Sequence, residues 1–177
     1  IMSIRIGVSG ASTVARRGRE CFYSYLAKLE TQGWDSIWFS DRIVGPGWTL
    51  DPLVGMAIVA ARTTKLKFGT GVLLMSMRSP VTTARALAAI DSVSDGRLVV
   101  GVGVGQEAPL EYEAMGILKK DRGKRLDEAI RIMRKLWSGD NVNYEGEYQT
   151  LVGASIHPKP FRNGIPIWIG GRTEAAF

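Results

Sequence analysis

The feature that most constrains the fold of this chain is a repeat of apolar, strand-like runs. The first four runs begin near Ile4, Ser36, Leu66 and Leu98. Their spacing is roughly thirty residues, the length of one strand–helix unit. A fifth run covers residues 166–170. Because the runs are continuously apolar rather than alternating, they are typical of parallel strands covered on both faces. The repeat therefore predicts an α/β fold with a parallel sheet.

Helical patterns fill the segments between the runs. Apolar residues recur at helical spacing up to Gly33, which is placed as a C-cap glycine would be. Residues 51–52 and 79–80 each combine an N-cap side chain with proline at the first helical position, so two more helices are predicted there. A hairpin is predicted over residues 142–151, with its turn near Glu145 and Gly146.

A longer helix is predicted from about Arg122. Its apolar stripe consists of Leu126, Ile130, Met133 and Trp137. Four charged residues lie off this stripe and are expected on a solvated outer face: Arg125, Glu128, Arg131 and Lys135.

Composition excludes several classes of protein. The 177 residues carry a net charge of +6, but the basic residues are scattered, so nucleic-acid binding is not predicted. No run of eighteen apolar residues occurs, so no membrane span is expected. Cys21 is the single cysteine, which fits the cytoplasm and is expected to be a buried structural thiol. No cluster has metal-ligand spacing, so no metal site is predicted.

Polar and glycine residues follow the strand-like runs at the points where strands would end. These segments are 40–42, 69–71, 103–107 and 170–173. In parallel α/β arrangements the ligand site lies at the carboxyl ends of the strands. The pattern alone leaves open whether the sheet is doubly wound or closed into a barrel.

Three segments resemble the luciferase-like family of flavin- and deazaflavin-dependent oxidoreductases. Residues 84–105 are similar to the family's third helix, its Ser-x-Gly-Arg turn and its fourth strand. Residues 122–139 are similar to the helix that follows, and residues 158–171 are similar to the approach to strand five. The resemblance implies a (β/α)8 TIM barrel of the bacterial luciferase-like type, with the coenzyme ring at its C-terminal mouth. About five of the eight units are counted, so residues 1–177 are expected to form one domain, a partial barrel truncated at the C-terminus.

The family implies two chemistries. Residues 38–42, 69–72 and 153–156 are closer to the branch that uses coenzyme F420, a deazaflavin. That branch implies hydride transfer to or from a small organic substrate. The alternative is an FMN-dependent luciferase-like monooxygenase. An alternative of another class is a non-catalytic, self-associating barrel fragment, because open strand edges and apolar faces favour association. The expected partners are a small-molecule substrate and further copies of the chain.

The resemblance implies catalytic roles for Asp41, Arg42 and Gln106. Many deazaflavin-dependent relatives have Asp-His at 41–42, with the aspartate near the ring and the histidine in proton transfer. Arginine stays protonated, so Arg42 is expected to hold an anionic substrate or a carbonyl oxygen instead. Some sugar-phosphate dehydrogenases have a catalytic glutamate where Gln106 stands. Both departures are evidence against that particular dehydrogenation. The structural alternative for Asp41 and Arg42 is an ion pair between neighbours at the barrel rim.

The resemblance also implies a set of coenzyme-binding residues at the strand ends. The set is Asp41, Thr70, Gly71, Val72, Gly103, Gly105, Gln106, Gly170 and Gly171. The Gly71–Val72 step matches the place where the family has a cis peptide that forms a bulge behind the ring. The alternative interpretation is ordinary strand glycine at 71 and 103, and a tight strand-to-helix turn at 170–171.

Overall fold

The computed structural model describes residues 4–105, 109–162 and 164–171. This part of the chain contains seven strands: β1 (Gly7–Val8), β2 (Ser36–Phe39), β3 (Lys67–Leu74), β4 (Leu98–Gly103), β5 (Val142–Glu145), β6 (Thr150–Ala154) and β7 (Ile167–Ile169). It also contains six α-helices: α1 (Ala11–Ala15), α2 (Arg19–Thr31), α3 (Pro52–Arg62), α4 (Pro80–Val93), α5 (Pro109–Ala114) and α6 (Arg122–Ser138). Single 3₁₀ turns cover Met75–Met77 and Lys119–Asp121.

Five strands form one parallel sheet in the order β1-β2-β3-β4-β7. Neighbours in the sheet follow the order of the chain, as they do in the wall of a barrel. The parallel sheet predicted from the repeat is confirmed. The first strand is shorter than its apolar run, because residues 4–6 precede β1 without joining it. Strands β5 and β6 pair as the predicted antiparallel hairpin.

One face of the sheet forms the hydrophobic core with the helices. The strand side chains on this face are Ile37, Phe39, Phe68, Leu98, Val100 and Val102, each at most 1% exposed. They form one cluster with helix residues such as Leu26, Met56, Leu87 and Met133. At roughly 25 cal/mol per Å² of buried apolar surface, this layer is the main source of stability.

The opposite face of the sheet carries glycines and two tryptophans. A Cβ at Gly7 or Gly69 would lie 2.7–2.8 Å from the Trp38 indole, so both positions need glycine. The rings of Trp38 and Trp168 stack with centroids 5.1 Å apart, and Trp168 is 58% exposed. The expectation that the strands are covered on both faces holds for most positions of β2, β3 and β4. It is wrong for β7, where Trp168 and Ile169 are exposed. The continuous apolar runs arise because tryptophan and glycine occupy the second face.

Two expectations for single residues are also wrong. Cys21 is exposed, because it lies on the outer side of α2. Glu128 is 5% exposed rather than solvated. Its carboxylate accepts hydrogen bonds from the backbone N–H groups of Glu147 (2.8 Å) and Tyr148 (3.1 Å), and so fastens the hairpin turn to α6. Arg131 and Lys135 are exposed as predicted. That residues 1–177 form a single domain stays a prediction.

Candidate active site at the carboxyl ends of the strands

The Val72 side chain lies across the ends of two neighbouring strands. The peptide bond Gly71–Val72 is cis, as expected, and the pairing of β3 with β4 shifts register between Thr70 and Leu73. A Cβ at Gly103 or Gly170 would lie 2.7 or 2.8 Å from a Val72 methyl group. Glycine at both positions therefore lets Val72 lie flat against β4 and the residue after β7.

Gly71, beside Val72, faces open space. It is exposed, and no described atom lies within 4 Å of the place where its Cβ would be. The surface formed by Gly71, Val72, Gly103 and Gly170 is thus low and apolar, and we call it the glycine shelf. A flat ring can approach such a backbone closely, because no Cβ projects from its three glycines. The shelf therefore fits the ring of a flavin or deazaflavin.

Asp41 lies beside this shelf, but its carboxylate is enclosed. The side chain is 0% exposed. One oxygen accepts from the Leu74 backbone N–H at 3.0 Å, and both accept from the Arg78 guanidinium, at 2.9 Å from Nε and 2.7 Å from Nη2. The predicted role of Asp41 near a ring stays a prediction. Asp41 forms a structural ion pair, as the alternative expected, and its partner is Arg78.

Arg42 is exposed on the loop between β2 and α3. Its Nη1 donates a hydrogen bond to the carbonyl oxygen of Pro46, which folds the loop back on itself. The buried carboxylate of Glu111 accepts from the backbone N–H groups of Ile43 (3.0 Å) and Val44 (3.5 Å). Helix α5 thereby holds the loop that carries Arg42. A cleft of about 340 Å³ lies under this loop. Its lining includes Ser40, Asp41, Arg42, Thr49 and Leu110.

Two predicted coenzyme residues face away from the shelf. The Thr70 side chain is 1% exposed, and its hydroxyl donates to the carbonyl oxygen of Gly101 at 2.7 Å, which ties β3 to β4. A Cβ at Gly105 would point at Met77 and Tyr112. These two residues belong to a small apolar cluster beside the 3₁₀ turn at 75–77. Gly105 also has a φ of 89°, a left-handed conformation that favours glycine.

The remaining predictions divide between described and undescribed positions. Gly171 is exposed and follows Gly170 directly. Gln106 lies outside the described residues, so its predicted catalytic role stays a prediction. Within the described ranges, no group of three or more His, Cys, Asp or Glu side chains is placed to hold a metal ion. None of the helices in these ranges is long and apolar enough to cross a membrane.

Sequence reasoning missed Arg78 and Glu111. Arg78 stands directly before the predicted helix start at 79–80, where a basic residue gives no signal of its own. Its partner Asp41 lies in another strand–helix unit, so nothing local in the sequence indicates the pair. Glu111 lies in the polar segment between the fourth strand-like run and the helix predicted from about Arg122. A buried carboxylate in such a segment is recognised only once its backbone partners are known.

Comparison with known proteins identifies the relatives of this chain. The model of the luciferase-like monooxygenase family matches residues 7–177. The F420-dependent glucose-6-phosphate dehydrogenase of Amycolatopsis mediterranei is 37% identical over 163 residues, covering 86% of this chain and 48% of the relative. The chain therefore spans about half the length of the curated relatives it matches.

Solved structures give the same result. A monooxygenase from Streptomyces bottropensis superposes with a TM-score of 0.82 at 26% identity, covering 94% of this chain and 53% of that one. An F420-dependent secondary alcohol dehydrogenase in complex with an F420-acetone adduct superposes with a TM-score of 0.81 at 27% identity, covering 96% and 53%. The predicted α/β fold, part of a luciferase-like TIM barrel, is confirmed.

Proposed function

The chain belongs to the luciferase-like monooxygenase family, and on that premise we propose that its strand ends bind coenzyme F420 and support hydride transfer to or from a small organic substrate. The observation that carries the proposal is the glycine shelf, open at Gly71 and backed by Val72. The relative from Amycolatopsis mediterranei and the secondary alcohol dehydrogenase are both named as F420-dependent, which supports the choice of coenzyme.

When bound, coenzyme F420 supplies a ring position that gives or accepts a hydride. Val72 supports one face of the ring and excludes water from that side, while Gly103 and Gly170 leave room for Val72 to do so. Asp41 holds the backbone on either side of Leu73, because its carboxylate accepts from the Leu74 N–H and its own N–H donates to the Val72 carbonyl oxygen.

Arg42 is proposed to orient the substrate. A guanidinium stays charged at any ordinary pH and binds carboxylates, phosphates or carbonyl oxygens. Its exposed place above the cleft under the 42–50 loop suits contact with an entering molecule. Because a guanidinium binds such groups, the proposed substrate is a small molecule with an anionic or carbonyl group. Glucose 6-phosphate, the substrate in the relative's name, carries an anionic group of this kind. It is not the proposed substrate, because Arg42 and Gln106 stand where sugar-phosphate dehydrogenases of the family have other residues.

Titration of the purified protein with coenzyme F420, oxidised and reduced, and with FMN tests this proposal. We expect F420 to bind more tightly than FMN. The variant Gly71→Ala places a methyl group in the open space of the shelf, so it weakens F420 binding by about tenfold or more while unfolding as the wild type does. The matched control is Gly123→Ala on α6, where a Cβ also meets open space. Binding of neither coenzyme by folded protein overturns the proposal, as does wild-type affinity in Gly71→Ala.

The second candidate is an FMN-dependent monooxygenase. The structural neighbour from Streptomyces bottropensis is named as a monooxygenase, which supports that class of reaction. Preferential binding of FMN in the same titration selects it. The candidate of another class is self-association without catalysis, supported by the exposure of Trp168 and Ile169 on the last strand of the sheet. Light scattering tests it, and a monomer of ordinary size contradicts it. The cytoplasm remains the proposed location, on the evidence of the single cysteine.

A further inference from the structure

Three charged side chains form a chain of ion pairs beside the glycine shelf. Arg78 contacts Asp41 through two hydrogen bonds, and its Nη2 also donates to Asp51 at 2.9 Å. The exposed fractions of the side chains are 16% for Arg78, 0% for Asp41 and 44% for Asp51. The Arg78–Asp41 contact is two-pronged and shielded from water, unlike an exposed pair of the kind that contributes little.

The charge of Arg78 is secured by these partners. Burial alone would lower the pKa of its guanidinium, but the hydrogen bonds and charges of Asp41 and Asp51 outweigh burial and raise the pKa. A buried carboxylate without a partner is costly, so Asp41 depends on Arg78 in turn.

Asp41 passes this constraint to the segment that forms the shelf. Its carboxylate accepts from the Leu74 N–H at 3.0 Å, and its own backbone N–H donates to the Val72 carbonyl oxygen at 3.3 Å. Asp41 therefore holds the chain on both sides of Leu73. Arg78, which fixes the carboxylate, thereby determines where the Val72 side chain lies over Gly103 and Gly170.

Asp51 extends the same constraint to a helix. One of its oxygens accepts from the N–H groups of Leu53 (2.8 Å) and Val54 (3.3 Å) and caps α3, while the other accepts from Arg78. Arg78 itself immediately precedes Ser79, the N-cap residue of α4. One guanidinium thus joins the end of β2, the end of β3 and the starts of two helices.

We propose that Arg78 is a positioning residue for the coenzyme site, holding the Val72 segment in place through Asp41 without touching the coenzyme. This inference rests on the proposed function for the ligand, but its structural part concerns the free protein. The proposal gives a role in the coenzyme site to Arg78, a residue that directly precedes the N-cap of α4.

The test compares Arg78→Lys with Arg85→Lys, a control on the exposed face of α4. Lysine keeps the positive charge, but its single ammonium group cannot replace the planar guanidinium that bonds both Asp41 oxygens and Asp51. In the free protein, we expect the Leu74 amide of Arg78→Lys to exchange hydrogen about tenfold faster, and the coenzyme F420 dissociation constant to rise about tenfold. The circular dichroism induced in saturating coenzyme should also change, which lowered stability alone would not cause.

Each outcome decides the proposal. Wild-type exchange at Leu74, or wild-type affinity and induced dichroism, in Arg78→Lys overturns it. If Arg78→Lys fails to fold, the double variant Arg78→Met with Asp41→Asn removes both charges together, and wild-type affinity in that folded variant overturns it too. If the wild type binds no F420 while Leu74 exchange still depends on Arg78, the proposed function has failed, and the coenzyme role of Arg78 falls with it.

Discussion

The two ends of the parallel sheet use charged side chains in different ways. At the amino end, Glu30 and Arg97 bond almost entirely to backbone atoms. At the carboxyl end, the Arg78 guanidinium bonds to two side chains, Asp41 and Asp51, which in turn accept from backbone N–H groups. A side chain that bonds to backbone atoms holds a loop in place whatever side chains the loop carries. A side chain that bonds to another side chain depends on that partner, so one substitution of the partner can change the arrangement.

Two side chains, Arg97 and Glu30, hold the loops at the amino end of the sheet through hydrogen bonds to the backbone. The Arg97 guanidinium donates to the carbonyl oxygens of Ala60 (3.0 Å), Leu66 (2.9 Å) and Ser94 (2.9 Å) and to the Thr63 hydroxyl (2.7 Å). The Glu30 carboxylate accepts from the N–H groups of Thr64 (2.6 Å), Lys65 (2.5 Å) and Leu66 (3.2 Å). These contacts join α2, α3 and the starts of β3 and β4. The carboxyl end, by contrast, keeps its glycine shelf open.

The largest effect on stability is expected for Arg97→Met. The change keeps the aliphatic stem but removes four hydrogen bonds from a charged donor, so the free energy of unfolding should fall by about 4 kcal/mol. Urea unfolding measures it, with Arg131→Met on the exposed face of α6 as the control. Coenzyme affinity of the folded fraction should stay at the wild-type value. If the free energy of unfolding fell by less than about 1 kcal/mol, the hydrogen bonds of Arg97 would not be what stabilises the amino end.

Gly103→Ala should disturb the carboxyl end in both stability and binding. Its Cβ would lie 2.7 Å from a Val72 methyl group, so the valine must move or the strands must separate. We expect a stability loss of about 2 kcal/mol from overpacking, together with loss of F420 binding. Gly71→Ala is the matched comparison, because it should lower binding alone. If both variants keep wild-type stability, Val72 does not lie where its contacts with Gly103 require.

The smallest effect is expected for Glu30→Gln, and it depends on pH. Burial raises the pKa of Glu30, but hydrogen bonds from three backbone N–H groups and the charge of Arg97 outweigh burial and lower it. A lowered pKa in the folded state stabilises the fold above the ordinary glutamate value of 4.5 and stops doing so as pH falls through the lower value. Unfolding at neutral pH should show a loss of about 1 kcal/mol, and the difference from wild type should vanish in acid. An equal difference at both pH values would contradict this origin.

The fold could be predicted from the sequence because its signals are local. The apolar runs at Ser36, Leu66 and Leu98 start within a residue of β2, β3 and β4. Likewise, the Asp51 and Ser79 signals coincide with the starts of α3 and α4. The exposure of Trp168 and Ile169 on β7 could not be predicted, because an apolar run does not show which of its side chains are covered.

The candidate site could be predicted only in part. Val72, Gly103 and Gly170 come together as the resemblance implied, while Thr70 and Gly105 serve the strands and the turn that carry the shelf. The pairing of Asp41 with Arg78 depends on how two strand–helix units pack side by side. The burial of Glu128 depends in the same way on where the hairpin folds back, which the helical stripe of α6 does not encode.

The stacked indoles of Trp38 and Trp168 have a consequence for the order of assembly. They come from the second and the last strand of the sheet, so they meet only when strands distant in the chain have joined. Contacts between distant residues are the slow part of folding. Two coupled indoles differ optically from two isolated ones, so the near-ultraviolet circular dichroism of this pair reports the moment at which β7 completes the sheet.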